Sequence, residues 1–180
     1  MSDYDPVAPQ QGSLSRQDWI RLTDEVKART EDVTLHAGFW SRYGAGHGLR
    51  WQKVPFTPES RPQVPRKAGL YAFAVQPPHA DFPPSTYLFY IGEVGATSST
   101  DRTLWQRFKE YLDELKVTKR PSVGMFLNRY NGYIDFYFCE LDPQAVDIKA
   151  IESALITALW PKANIRDYAV GVRQVRQAFS

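Results

Sequence analysis

Along residues 69–160 the apolar positions switch from a period of two to one of 3.6 and back, and the order of the switches leaves few folds open. Gly69–Val75 and Tyr87–Gly92 are aromatic and β-branched runs that read as strands, joined across the proline-rich stretch Pro77–Pro84. Asp101–Lys116 reads as an amphipathic helix, with Leu104, Phe108, Tyr111, Leu112 and Leu115 on one stripe. Pro121–Tyr130 predicts a short helix stopped by Asn131-Gly132. Tyr133–Leu141 predicts a third strand with Ile134, Phe136 and Phe138 on one face. Asp142-Pro143 reads as a cap and first-turn proline, opening a helix that runs to Trp160 and ends before Pro161. Strand, strand, helix, short helix, strand, helix predicts an α+β fold. Its core is a three-stranded antiparallel sheet flanked by helices, not a doubly wound parallel sheet.

Upstream of residue 68 the chain is an N-terminal extension. Residues 1–13 read as a disordered tail, and Ser15 with Asp18 caps a helix carrying Trp19, Leu22 and Val26 to about Arg29. From Gly38 to Pro65 glycines and prolines punctuate the chain, predicting extended segments and turns. The layout is thus a tail at 1–13, a helix and basic aromatic extension at 14–67, a domain at 68–166 and a basic tail at 167–180. Between 42 and 68, Arg42, Arg50, Lys53, Arg61, Arg66 and Lys67 face Glu59 alone, although the whole chain is only +2. That near-balance excludes a histone-like polycation and leaves local basic patches open. Trp40–Lys53 also carries Tyr43, His47 and Trp51. Such a mixture either stacks on bases with its cations on phosphates, or covers the sheet with Trp40 and Trp51 as core plugs. The single cysteine, Cys139, excludes an intramolecular disulfide and a Cys-built zinc site. No apolar run is long enough to cross a bilayer and the chain opens polar, so a cytoplasmic, intracellular protein without a membrane partner is expected. His36, His47 and His79 lack metal-ligand spacing and read as surface residues.

Three kinds of residue break the apolar pattern. Glu152 falls at about 40° from Ile148 on the helical wheel, inside the stripe that should face the sheet. A carboxylate there needs a cation or several donors, so it is a structural ion pair, a stripe edge reaching water, or a ligand. Arg107 lies on the shoulder of its stripe one turn before Tyr111. There it either snorkels to the surface or clamps a phosphate bidentately. Tyr71 and Tyr90, in the first two strands, read alone as core or edge filler.

Together these residues resemble the GIY-YIG nuclease domain over about residues 68–166. Gly69-Leu70-Tyr71 is similar to the first signature with Leu in the middle, and Tyr90-Ile91-Gly92 matches the second. Arg107 stands at the family's helix arginine, Tyr111 at its aromatic one turn later, Glu152 at its metal-binding glutamate and Asn164 at its asparagine. Glu93 stands where the family often has a lysine, and the connections Gln76–Thr86 and Glu93–Thr100 are longer than in its smallest members.

The resemblance implies a metal-dependent endonuclease hydrolysing phosphodiester bonds of nucleic acid, DNA above all. Glu152 would ligate Mg²⁺ (or Mn²⁺), Arg107 would clamp a non-bridging oxygen, and Tyr71 or Tyr90 with Tyr111 nearby would orient or deprotonate the water. Asn164 would fix the local backbone. The nucleic-acid footprint expected from charge is Arg42, Arg50, Lys53, Arg66 and Lys67. A homodimer or a specificity-giving protein partner is compatible with a chain lacking an added DNA-reading motif. The competing class is a non-catalytic nucleic-acid- or protein-binding module that keeps the fold. The expected fold puts Arg107 and Glu152 on one side of the sheet.

Overall fold

The computed structural model describes residues 15–43, 46–78, 83–96, 102–116, 119–165, 168 and 172. The chain divides into two compact units, residues 1–32 and 33–180. The first holds helix α1 (Arg16–Arg29), capped as its sequence predicts, with the Asp18 amide donating to Ser15 Oγ at 3.1 Å. The tails expected at 1–13 and 167–180 lie outside the described residues, apart from Tyr168 and Val172.

The second unit is α+β, an open antiparallel sheet flanked by helices. Its strands are β1 (Gln52–Pro55), β2 (Gly69–Val75), β3 (Tyr87–Val94) and β4 (Ile134–Glu140), in the order β1-β4-β2-β3. The sheet therefore has four strands where the sequence predicts three. The extra strand, β1, pairs with β4 from Gln52↔Phe138 to Pro55↔Asp135. Only Val54 among its four residues is buried, which is too little for a period of two to be legible. As an edge strand it also tolerates Pro55.

The helices of this unit are α2 (Ala37–Tyr43), α3 (Leu104–Glu114), α4 (Pro121–Arg129) and α5 (Ile148–Leu159). Two boundaries differ from expectation. The helix expected from Asp142-Pro143 starts five residues later at the Asp147 cap, which accepts from the Ala150 amide at 2.9 Å. Asp142 instead closes a turn, accepting from the amides of Ala145 and Val146 on its carbonyl and from Gln144 on its side chain. The region 38–65 contains the short helix α2 as well as turns. Trp40 and Trp51 are exposed, so neither is a core plug. The residue that packs is Phe39, stacked on His36 at 3.8 Å and lying 5.8 Å from Trp160.

Every residue of β2 is buried, because helices cover both faces of the sheet. Tyr71, Phe73 and Val75 join Phe136 and Phe138 in a cluster with Leu104, Phe108 and Tyr111 of α3 and with α4. Leu70 packs against Ile148 and Ile151 of α5, and Ala72 and Ile91 pack against Ile156. Since neighbours on a strand point to opposite faces, α3 and α5 lie on opposite faces of the sheet. The helices carrying Arg107 and Glu152 therefore do not share one side, contrary to expectation.

Phe136 is the hub of the aromatic layer, edge-on to Phe73 at 5.2 Å and to Phe108 at 4.9 Å and stacked on Tyr71 at 5.7 Å. It is wholly buried. Replacing it with alanine should cost about 3–5 kcal/mol, read as a fall in the urea unfolding midpoint at unchanged m-value.

Candidate functional site

The site begins where α3 is tied to the strand it covers. Thr103 and Gln106 form a reciprocal cap, and the Leu104 and Trp105 amides donate to the Lys67 and Pro65 carbonyls at 2.9 and 3.1 Å. This fixes the start of α3 against the segment entering β2. With Leu104, Phe108 and Tyr111 fully buried, Arg107 is left on the flank of the helix with its side chain 17% exposed.

Tyr71, Tyr90 and Tyr111 form a triangle with ring centroids 5.7 to 6.1 Å apart. The Tyr71 and Tyr111 hydroxyls share a hydrogen bond of 3.0 Å. Both of these rings are wholly buried, and Tyr90 is the half-buried member that reaches the surface. Tyr71 lies over Gly92, its cross-strand partner on β3. A Cβ at Gly92 would stand 2.3 Å from Tyr71 Oη and 2.4 Å from Cζ, so only glycine admits the phenol. Gly69 is required for another reason. A Cβ there would sit 2.0 Å from the Cys139 carbonyl oxygen of β4.

Arginines surround the triangle. Arg107 Cζ lies 5.9 Å from the Tyr71 ring and Arg120 Cζ 4.8 Å from the Tyr111 ring. Both guanidiniums donate to Glu110 Oε2, at 2.8 and 3.2 Å, and Arg102 Nε lies 3.7 Å from Oε1. Three cations share this carboxylate, and Arg120 Nε also lies 3.9 Å from Glu114 Oε1, so three positive charges face two negative ones. Burial works against the charge on Glu110, but the Arg107 and Arg120 contacts outweigh it and hold the carboxyl below its ordinary range. Burial likewise opposes the charge on Arg107, yet Tyr71, Tyr111 and Glu110 keep it above its ordinary value. Arg107 Nε and Arg120 Nη1 are buried without a hydrogen-bond partner. An excess of positive charge with free N–H groups is suited to an anionic oxygen.

Arg120, Glu110 and Glu114 are site residues that sequence reasoning missed. Glu114 is buried and accepts the amides of Lys119 and Arg120 at 2.6 and 3.1 Å, which fixes the turn that presents Arg120. The one signal available was the acid pair Glu110 and Glu114 on consecutive turns beside Arg107. Glu114, near the buried stripe, needs donors as Glu152 does.

Asn164 clips the outer edge of β3. Its Oδ1 accepts from the Ile91 amide at 2.9 Å and its Nδ2 donates to the Ile91 carbonyl at 2.8 Å. Glu152 lies across the sheet on α5, between the buried Ile148 and Ile156, and accepts from Lys149 Nζ at 2.5 Å. Glu93 projects from the same face of β3, in register with Leu70. Among the described residues no three His, Cys, Asp or Glu side chains gather as a metal cage. Mg²⁺ keeps several waters and uses one or two carboxylates plus phosphate, so a single buried carboxylate such as Glu152 fits that ion's chemistry.

The basic residues expected to meet nucleic acid sit on different elements. Arg42 and Arg50 are exposed, on α2 and before β1. Lys53 is ion-paired to Asp135 at 2.6 Å, a contact that raises its pKa, and Lys67 pairs with Glu140 at 3.1 Å. Arg66 stacks on Trp105. Comparison of the chain with family models, curated proteins and solved structures returns no match.

Two expected outcomes follow from the triangle. Gly92→Ala should lose about 1–3 kcal/mol from overpacking in chemical denaturation. Adding Tyr71→Phe should not restore it, because the ring carbon Cζ still collides. The second outcome concerns pH. Burial pushes the Tyr71 phenol well above its ordinary value and raises Tyr90 too, with Tyr111 adding in each case. An unfolded tyrosine ionises near about pH 10, so above that pH the unfolded state holds fewer protons than the folded one. The tyrosine contribution to stability should be flat below that pH and fall above it, and Tyr71→Phe should flatten the fall in unfolding midpoints measured up to about pH 11.5.

Proposed function

We propose that the chain is a metal-dependent endonuclease of the GIY-YIG type, hydrolysing phosphodiester bonds of nucleic acid, DNA above all. The observation that carries this reading is the Tyr71–Tyr111 hydroxyl pair held beside Arg107, with Gly92 leaving room for the phenol. The two signature tripeptides thereby meet the signature arginine at one place.

The roles follow from exposure and charge. Arg107, a permanent cation whose side chain is 17% exposed, grips a non-bridging phosphate oxygen and withdraws charge as the attacking oxygen adds. Tyr71 and Tyr111 are engaged with each other and hold the floor of the site. Tyr90 is the half-buried member of the triangle, and its raised pKa makes it an orienting group for water, not a proton acceptor at neutral pH. Asn164 holds Ile91, and so the strand on which Tyr90 and Gly92 sit. Glu152 would hold Mg²⁺, which when bound supplies Lewis-acid stabilisation of the leaving oxygen.

A nicking assay with Mg²⁺ and Mn²⁺ over plasmid, single-stranded, flapped, branched and RNA substrates tests the reading. Glu152→Gln should abolish cleavage while leaving thermal stability equal or higher in chelator. The Lys149 partner is 55% exposed, so it stays solvated when the pair is broken. A mutant that cuts at the wild-type rate removes Glu152 from the site. Metal-independent binding without any cleavage would return the protein to the class of non-catalytic modules.

A further inference from the structure

Arg61 and Arg66 lie on the single ring system of Trp105, with guanidinium carbons 3.4 and 4.1 Å from its centroid. Two guanidiniums that close cannot share one face without overlapping, so they take opposite faces. The three side chains line a groove of about 670 Å³ with Pro58, Pro62 and Val64. The groove is rigidly built. Arg61 lies in the last turn of a 3₁₀ helix (Pro58–Gln63), and its C-cap Val64 is in the core. Pro65 accepts from the Trp105 amide, which locks this segment to the first turn of α3.

Neither arginine has a carboxylate within ion-pair reach among the described residues. Glu59, nearest in sequence, is fully exposed and turned to its own amide and to Thr57. Arg61 Nε is buried and has no hydrogen-bond partner. Two cations held together with no anion repel each other, and stacking leaves their in-plane N–H edges unused. An anion in the groove would offset both charges.

We propose that Arg61, Trp105 and Arg66 form a second phosphate-binding site that grips the backbone of a nucleic acid. The existence of an anion site rests on the geometry above, and the choice of nucleic acid rests on the endonuclease reading. The spacing favours an extended ligand. The indole separates the two guanidiniums, so each meets its own phosphate. Trp105 is two residues from Arg107, about 3 Å along α3 but about 200° around it, so the two sites cannot hold one phosphate. A ligand touching both must wrap the start of α3, which a strand does and a mononucleotide does not. With its faces covered, Trp105 orients the arginines and does not stack on bases.

The test is the salt dependence of duplex DNA binding, measured with chelator present by anisotropy of a labelled duplex. Arg61→Gln and Arg66→Gln should each reduce the slope of log K against log salt by about 0.9, and the double variant by about 1.8. Arg61→Lys and Arg66→Lys, which keep the charge without the planar stack, should retain most of the slope. An unchanged slope in the double Gln variant overturns the site, and so does a Lys variant that loses as much slope as its Gln counterpart. Polyglutamate binding the wild type more tightly than duplex at equal charge overturns the nucleic-acid assignment in favour of an acidic peptide. Plasmid nicking is scored in parallel. Loss of slope in a chain that never cuts supports this site and sinks only the endonuclease reading.

Discussion

Burial of β2 on both faces is the constraint on which the rest of the structure depends. A strand with no solvent-facing side cannot slip by one residue, because each face has its own partners. On one face Tyr71 and Phe73 enter the aromatic layer of α3 and β4, and on the other Leu70 and Ala72 meet α5. Side-chain sizes follow from this. The aromatic face takes rings against Phe108 and Phe136, whereas the α5 face is lined by Leu70, Ala72 and Ala74, which suit a close helix. Gly69 and Gly92 then mark the points where backbone or ring leaves no space for a Cβ. The same register that packs the core aims Tyr71 at Tyr111.

Polar groups beside that core are satisfied in a graded way. At the bottom the Tyr71 and Tyr111 hydroxyls satisfy each other, so their burial is cheap. One layer out, Glu110 draws Arg107 and Arg120 together while leaving each with one buried N–H unpaired. Unpaired buried donors are rare in folded proteins, and here two occur within one network. A carboxylate shared among several arginines fixes their positions without neutralising them. This positions positive charge before any ligand arrives, the economical way to bind an anion.

The sequence was informative wherever one residue type repeats with a period. Gly69–Val75 was read to the residue, and the strand and helix that follow it were found within a few residues at each end. Failure came where order is imposed from elsewhere. β1 is Gln-Lys-Val-Pro, with no pattern of its own, and exists because β4 offers it an unpaired edge. The α5 start was misread because Asp-Pro makes a turn as readily as a helix cap. In the site, Tyr71, Tyr90, Arg107 and Tyr111 were singled out by position and do come together. Arg120 was invisible, since its place depends on a turn held by Glu114 from the preceding helix. The placement of Glu152 behind the sheet was likewise beyond a helical wheel, which gives the face of a helix but not the side of the sheet.

That placement has a geometric consequence for any ligand that touches both Arg107 and Glu152. The sheet lies between them, so contact with both is made around a free edge, and β3 is the edge strand nearest the triangle. Part of that edge is sealed. The Ala163 amide donates to the Phe89 carbonyl, and Asn164 takes both backbone groups of Ile91. Among the described residues no such clip is made beyond Ile91, at Gly92 and Glu93. There the two faces differ in sign, with Arg107 on the aromatic side and Glu93 and Glu152 on the α5 side. In the proposed function the missing side chain of Gly92 therefore matters on the aromatic face, where it admits the Tyr71 phenol beside Arg107.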